Sequence, residues 1–315
     1  MSKQSLAFVF PGQGSQKPGM LLDAQQRFAA VAATIEEASD ALGYDVWSLV
    51  QNGSQEDLNL TETTQPVLLT ASVALWRAWQ EESGAVPGIM AGHSLGEFTA
   101  LVCAGSLAFS DAVLLVRRRG QFMQSAVPVG EGAMAAILGL EDDRVRSDCD
   151  AAAEVTGQVV APVNFNAPGQ VVIAGHTEAV EAAIAQLKAS GAKRAMPLPV
   201  SAPFHTELMK PAGERLAEAI ADVDIAEPRS PVVHNVHART ESEPERIREL
   251  LVEQIYSPVL WTACVGNVAE SGATRLVECG PGKVLSGLNR RINSSLDSYP
   301  LEAPDDLLTA VTELG

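Results

Sequence analysis

Basic residues are scarce in this chain of 315 residues: 22 Lys and Arg stand against 39 Asp and Glu, a formal net charge of -17. Sequence-independent affinity for nucleic acid comes from cations that neutralise phosphates, so a general nucleic-acid binder is excluded. Cysteine is scarce as well. Cys103, Cys149, Cys264 and Cys279 lie far apart with no CxxC pair, and neither a disulfide framework nor a zinc site is expected. No metal-ligand spacing occurs elsewhere. Long apolar runs are missing: none approaches the ~20 residues that span a bilayer. Leu6-Ala7-Phe8-Val9-Phe10 runs into a Pro-Gly turn, too early for the apolar stretch of a signal peptide. These absences lead us to expect a soluble, reduced, cytoplasmic protein with no membrane and no nucleic-acid partner. What is present is apolar content: 46% hydrophobic against 19% charged residues, enough for a sizeable core and too much for a disordered chain. The length predicts one large domain, or a large domain carrying a smaller one.

The pattern along the chain is α/β. Leu6–Phe10 reads as a buried strand ending in the glycine-rich loop Pro11-Gly12-Gln13-Gly14-Ser15-Gln16. Residues 23–51 and 66–82 carry helical periodicity, the second with Val67, Leu68, Ala71, Ala74, Leu75 and Ala78 on one face and Pro66 in its opening turn. Ile89-Met90-Ala91 then meets Gly92-His93-Ser94-Leu95-Gly96 and a helical stretch from Glu97. Strand, tight turn and helix in alternation predict a largely parallel sheet with helices layered on it. The middle of the chain changes rhythm: strand 133–138, helix 141–155, strands 159–164 and 171–175, helix 177–190 and strand 193–198. That βαββαβ order is the order of a ferredoxin-like unit. Pro128-Val129-Gly130 and Pro197 with Pro199 punctuate its ends. We therefore read 129–199 as a small domain inserted into a large α/β domain made of 1–128 and 200–315. Helices at 207–221, 244–255 and 261–271, an extended Val232–Val236 and a strand Arg275–Cys279 complete the reading.

Gly92-His93-Ser94-Leu95-Gly96 fits GxSxG, the nucleophile elbow, in which small residues flank a strained turn that exposes the serine. The pentapeptide alone is weak; its place between an apolar run and a helix strengthens it. A serine near neutral pH needs a base. Of the five histidines, His93 sits inside the elbow and reads as structural, His176 opens a helix, and His234 and His237 belong to an extended segment as half-buried strand residues. His205 follows a proline-constrained loop where the chain returns to the large domain, and its residues alone leave open a base or an ordinary loop histidine. Arg117-Arg118-Arg119 stands out in an acidic protein. Three consecutive residues span about 200° of a helix, so one should point inward, where an arginine would bind a carboxylate bidentately. Gly280-Pro281-Gly282-Lys283 lacks P-loop spacing and reads as a turn into a helix.

Together the motifs become specific. Phe8-Val9-Phe10-Pro11-Gly12-Gln13-Gly14-Ser15-Gln16, Gly92-His93-Ser94-Leu95-Gly96-Glu97, Arg119-Gly120, Asn164-Phe165-Asn166, Pro203-Phe204-His205, Gln254-Ile255-Tyr256-Ser257-Pro258-Val259 and Glu278-Cys279-Gly280-Pro281-Gly282 resemble, in the right order, the malonyl-CoA:acyl carrier protein transacylases. The resemblance implies an α/β-hydrolase-like large domain with a ferredoxin-like insert. It also implies transfer of a malonyl group from malonyl-CoA to the phosphopantetheine thiol of acyl carrier protein, in fatty acid biosynthesis. Ser94 would be the nucleophile and His205 its base. The backbone N–H groups of Gln13 and Leu95 would form the oxyanion hole, the backbone carbonyl of Gln254 would orient the histidine, and Arg119 would hold the malonyl carboxylate. Phe204 would wall the acyl pocket. No cofactor of its own is implied, the partners are coenzyme A and acyl carrier protein, and a monomer is expected. Lys188, Lys193, Arg194, Lys283, Arg290 and Arg291 are candidates to meet the acidic carrier. His234 and His237 depart from the pattern, standing where similar enzymes lead us to expect Asn and Asp. An esterase or thioesterase with the same elbow, and a transacylase serving malonate decarboxylase or a polyketide synthase, remain alternatives.

Overall fold

The structure is a computed structural model that describes residues 5–82, 85–200 and 202–315; Met1–Gln4, within the first expected domain span, lie outside it. Its centre is a five-stranded parallel sheet. β1 (Leu6–Phe10) pairs on one side with β2 (Ile89–Gly92) and on the other with β8 (Arg275–Glu278); β7 (Val232–Val233) and β9 (Asp297–Pro300) form the edges, giving the order β7-β2-β1-β8-β9. β1 and β2 are buried at every residue, as near-continuous apolar strands covered on both faces should be. Alternation along β1 feeds two cores. Leu6, Phe8 and Phe10 face a large cluster that includes Trp76 and Trp79, whereas Ala7 and Val9 face a smaller one around Trp261 and Leu276.

The large cluster is covered by α1 (Leu22–Arg27), α2 (Ala29–Leu42), α3 (Val46–Asn52), α5 (Thr61–Glu82), α6 (Leu95–Cys103) and α7 (Phe109–Gln124). The run at 23–51 is thus three helices rather than one. Phe28 is extended, and Gly43 adopts φ 75°, a left-handed helix end that a glycine reaches without strain. Further elements escaped the periodicity: α4 (Gln55–Asn59), short but closed by a Ser54–Asp57 capping box, the edge strand β9 and α14 (Pro304–Leu314). α5 begins earlier than expected, so that Pro66 lies inside it. The second core is covered by α12 (Trp261–Glu270) and α13 (Val284–Ile292). α10 (Lys210–Ile220) is preceded by a 3-10 turn at Glu207–Met209, and α11 (Pro244–Glu253) is followed by another at Gln254–Tyr256.

A separate four-stranded antiparallel sheet comprises β3 (Gly132–Leu138), β4 (Val160–Ala167), β5 (Gln170–His176) and β6 (Arg194–Pro197), in the order β4-β5-β3-β6. α8 (Asp142–Thr156) and α9 (Thr177–Ala189) lie between its strands in sequence and close a core of their own with Ala135, Ile137, Val145, Ile173 and Val180. Asn164 bridges Val259, and Phe165 N–H donates to the Val259 carbonyl at 3.0 Å, tying this sheet to the chain that leads into α12. Among the described residues, no helix is long and apolar enough to cross a membrane.

Candidate active site

The elbow is set by backbone crowding. A Cβ on Gly92 would lie 1.9 Å from the carbonyl of Gly96, and one on Gly96 would lie 2.1 Å from the carbonyl oxygen of Phe10. Only glycine fits either position. Between them Ser94 is forced to φ 51°, ψ -104°, at the N-terminus of α6. Strain of this kind persists only where the surroundings over-determine it. Asn235 is the main restraint: its Oδ1 accepts from Ser94 N–H at 2.7 Å while its Nδ2 donates to the Gly92 carbonyl at 2.7 Å.

His205, itself at φ 65° and 5% exposed, stands over the serine. Its Nε2 is 2.9 Å from Ser94 Oγ and its Nδ1 is 2.8 Å from the Gln254 carbonyl oxygen. A carbonyl only accepts, so Nδ1 carries the hydrogen and Nε2 presents its lone pair to the hydroxyl. Burial, reinforced by the nearby Arg119 cation, pushes the imidazole down to about 3, which keeps it a neutral acceptor. No carboxylate is needed for its orientation.

Of the three arginines, the helix turns Arg118 outward, leaves Arg117 half-buried over the Tyr44 ring and buries Arg119 at 1% exposure. Arg119 Nη1 donates to Gln65 Oε1 at 2.8 Å; its Nη2 donates to Gln254 Oε1 at 2.8 Å and to Ser94 Oγ at 3.2 Å. Its Nε has no partner among the described residues. Burial lowers the guanidinium to about 10, with the Glu97 charge opposing the shift, so it stays cationic at neutral pH. A fixed buried cation in contact with the serine hydroxyl is suited to an acidic acyl group.

The site opens into a cavity of about 260 Å³ whose lining includes Gln13, Leu95, His93, Met123, Met134, Val172, Leu198 and Phe204. The expected residues Ser94, His205, Arg119, Gln13, Leu95 and Phe204 all line it, and Gln254 lies directly behind. His93 Nε2 donates to Asn166 Oδ1 at 2.8 Å, within the family-like Asn164-Phe165-Asn166 run. His176 accepts from Val159 N–H at 3.1 Å. His234 corrects the strand reading: β7 stops at Val233, and His234 is wholly buried with Nδ1 2.7 Å from Glu97 Oε1. Sequence reasoning missed Gln65, Glu97 and Asn235 as parts of the site. Glu97 lay in the quoted elbow motif and Asn235 beside a flagged position, but nothing in one dimension shows that α6, the 234–240 turn and Gln254 converge. All six basic candidates for carrier docking are exposed. Arg291 is engaged, donating to the Pro168 carbonyl at 3.0 Å and to Gln170. Among the described residues, no group of His, Cys, Asp and Glu side chains could hold a metal ion.

This fold and site define an acyl transferase domain: that family matches residues 7–298, and the chain belongs to it. Within it, the chain is 56% identical over 307 residues to a malonyl CoA-acyl carrier protein transacylase of Salmonella typhimurium, covering 98% of this chain and 99% of that one. A solved malonyl CoA-acyl carrier protein transacylase from Coxiella burnetii superposes with a TM-score of 0.97 at 50% identity, covering 99% and 98% of the two chains. A malonyl-transacylase solved with its type II polyketide acyl-carrier protein superposes at 0.96 with 52% identity, covering 98% of this chain and 99% of that one. The chain is thus a member of the malonyl CoA-acyl carrier protein transacylase family.

Proposed function

We propose that this protein moves the malonyl group from malonyl-CoA to the phosphopantetheine thiol of acyl carrier protein, in fatty acid biosynthesis, through a malonyl-serine intermediate. The observation that carries the reading is the buried Arg119, with Nη2 on Ser94 Oγ and Nε without a partner among the described residues. A hydrolase acting on neutral esters has no use for a buried cation there. His205 Nε2 takes the proton as Ser94 Oγ attacks the thioester carbon. The C–S bond breaks and coenzyme A leaves with the proton that His205 returns. The carrier thiol then repeats the sequence in reverse: His205 takes the thiol proton, sulfur attacks the acyl carbon, and Ser94 leaves reprotonated. The backbone N–H groups of Gln13 and Leu95 hold the oxyanion. The Gln254 carbonyl keeps the imidazole in the required tautomer, and Arg119 fixes the malonyl carboxylate so that the thioester carbon sits over the serine.

The reaction as read requires no cofactor bound by this chain, and we place the enzyme in the cytoplasm as a monomer. Residues 1–128 and 200–315 form the α/β-hydrolase-like domain and 129–199 the ferredoxin-like insert, a division supported by the separate core and the β4-β5-β3-β6 order. Labelled malonyl-CoA should leave one malonyl adduct, on Ser94, and holo acyl carrier protein should remove it as a thioester. Ser94→Ala should remain folded and unlabelled. Rapid release of free malonate with no label on the carrier would identify a hydrolase instead.

A further inference from the structure

The catalytic residues rest on a second layer that is wholly buried. Gln254 is its hub. The backbone carbonyl holds His205, the side-chain oxygen accepts from Arg119, and the side-chain nitrogen donates to Glu97 Oε2 at 2.7 Å and to the Ser94 carbonyl at 3.1 Å. An amide in this position has two orientations related by a flip. Only one suits Arg119, since the flipped amide would turn its NH2 group against the guanidinium. Glu97 selects between them. Its Oε2 also accepts from Asn235 N–H at 2.9 Å, and its Oε1 accepts from His234 Nδ1 at 2.7 Å. All three neighbours are donors, so the cage fits an acceptor-only carboxylate. The same carboxylate opposes the desolvation of Arg119.

We propose that His234 is a positioning residue for acyl transfer, acting through the Glu97 carboxylate on the Gln254 amide, and through Gln254 on both His205 and Arg119. His234 is 0% exposed, and its Nε2 has no partner among the described residues, so its one side-chain hydrogen bond there is the one to Glu97. Its backbone is held independently: its N–H donates to the Arg239 carbonyl at 2.9 Å, and its carbonyl accepts from Ala238 N–H and the Cys264 thiol. The His237 ring stands edge-on at 6.1 Å. A buried polar ring with half its hydrogen-bonding capacity unused among the described residues is a costly way to fill space. Without the Nδ1–H donor, Glu97 Oε1 would be a buried bare oxygen. Held then only on its Oε2 side, by Asn235 N–H and Gln254 Nε2, the carboxylate is free to rotate, and the Gln254 amide loses the fixed acceptor that selects its orientation over the flipped one. Arg119 would lose an acceptor and gain an opposing donor, and the backbone hub beneath His205 would loosen.

This proposal rests on the function proposed above, and the test separates the two. His234→Leu removes the donor at similar bulk; His234→Asn keeps an N–H donor and fills the position as the family pattern leads us to expect. Normalised to active sites, kcat/KM for malonyl transfer should fall at least tenfold in His234→Leu, with a smaller loss for acetyl transfer, and His234→Asn should restore most of both. Equal rates in all three proteins, or equal losses in Leu and Asn, would overturn it, as would identical losses for malonyl and acetyl. Should His234→Leu fail to fold, Glu97→Gln must show the same malonyl-heavier loss or the proposal falls. Sulfonylation of Ser94 by phenylmethanesulfonyl fluoride, followed by intact mass, needs Ser94 and His205 but no malonyl group. If the unmutated protein transfers no malonyl, the function reading fails. The sulfonylation rates then decide the positioning role: slow in Leu with recovery in Asn upholds it, and three equal rates refute it.

Discussion

Arg119 is the residue on which acyl selectivity should turn. A buried charge pair with a substrate carboxylate contributes roughly 2–5 kcal/mol when one partner is truncated, and an acetyl group has no carboxylate to lose. Arg119→Ala should therefore cost malonyl transfer at least tenfold more than acetyl transfer in parallel kcat/KM measurements. Equal losses would make Arg119 a support for Gln65 and Gln254 only. The pH behaviour belongs to His205. Burial and the Arg119 cation hold it down to about 3, against about 6.5 in an unfolded chain. The native imidazole thus stays neutral across the window where the unfolded one takes a proton. Two consequences follow with the same sign: the acid limb of kcat/KM should lie well below pH 6, and this group's contribution to stability should fall as pH drops from about 6.5 toward 3. A pH–rate profile with an inflection near 6.5, assignable to His205 by ring 15N shifts, would contradict that placement.

At the scale of elements, the site is built from ends. Ser94 stands at the start of α6, His205 before the Glu207–Met209 turn, and Gln254 where α11 gives way to the next 3-10 turn. Asn235 comes two residues after the short strand β7. Loop and terminus positions can take backbone angles that regular helices cannot, as Ser94 and His205 do. α13 supplies the rim. Its first residue, Val284, is 52% exposed and lines the cavity mouth with Leu285 and Leu288. Glu278 fastens its start, accepting from Leu285 N–H at 2.9 Å and Ser286 N–H at 2.7 Å. Lys283, just before this helix, and Arg290 within it are basic groups we expect an acidic carrier to meet. Reversing both charges should raise the KM for acyl carrier protein severalfold at low salt, with little change for malonyl-CoA. A KM unmoved by the double reversal would exclude α13 as the carrier's landing site.

At the scale of the molecule, the cavity lies where the two sheets meet: Met134 and Val172 come from the antiparallel sheet, Ser94 and Gln13 from the ends of the parallel one. Phe204 sits on the connection between them, 8% exposed, and lines the cavity. As a wall beside the α-carbon it would exclude an added methyl, worth ~1–3 kcal/mol for one such group. Phe204→Ser should narrow the kcat/KM gap between malonyl-CoA and methylmalonyl-CoA mainly by raising the latter. A fall in both with an unchanged ratio would leave Phe204 a packing residue of the hinge.

The sequence by itself determined the βαβ alternation, the βαββαβ interlude and the elbow around Ser94, because each is written in local periodicity or in a short motif, whereas His205 and Arg119 were singled out only by the family resemblance. Its boundaries drifted where a single residue overrides a period, as Phe28 and Gly43 do in the first helical run. Only the tertiary structure decided which arginine faces the serine and that Gln254 uses its backbone for His205 and its side chain for Arg119. The same holds for Asn235, which restrains the elbow from 141 residues away. Hydrogen bonds across such separations depend on where sheets and helices pack, and packing is a property of the whole core rather than of any window along the chain. His234 shows the limit most plainly: a period suited to a strand, and a side chain that the fold buries against Glu97.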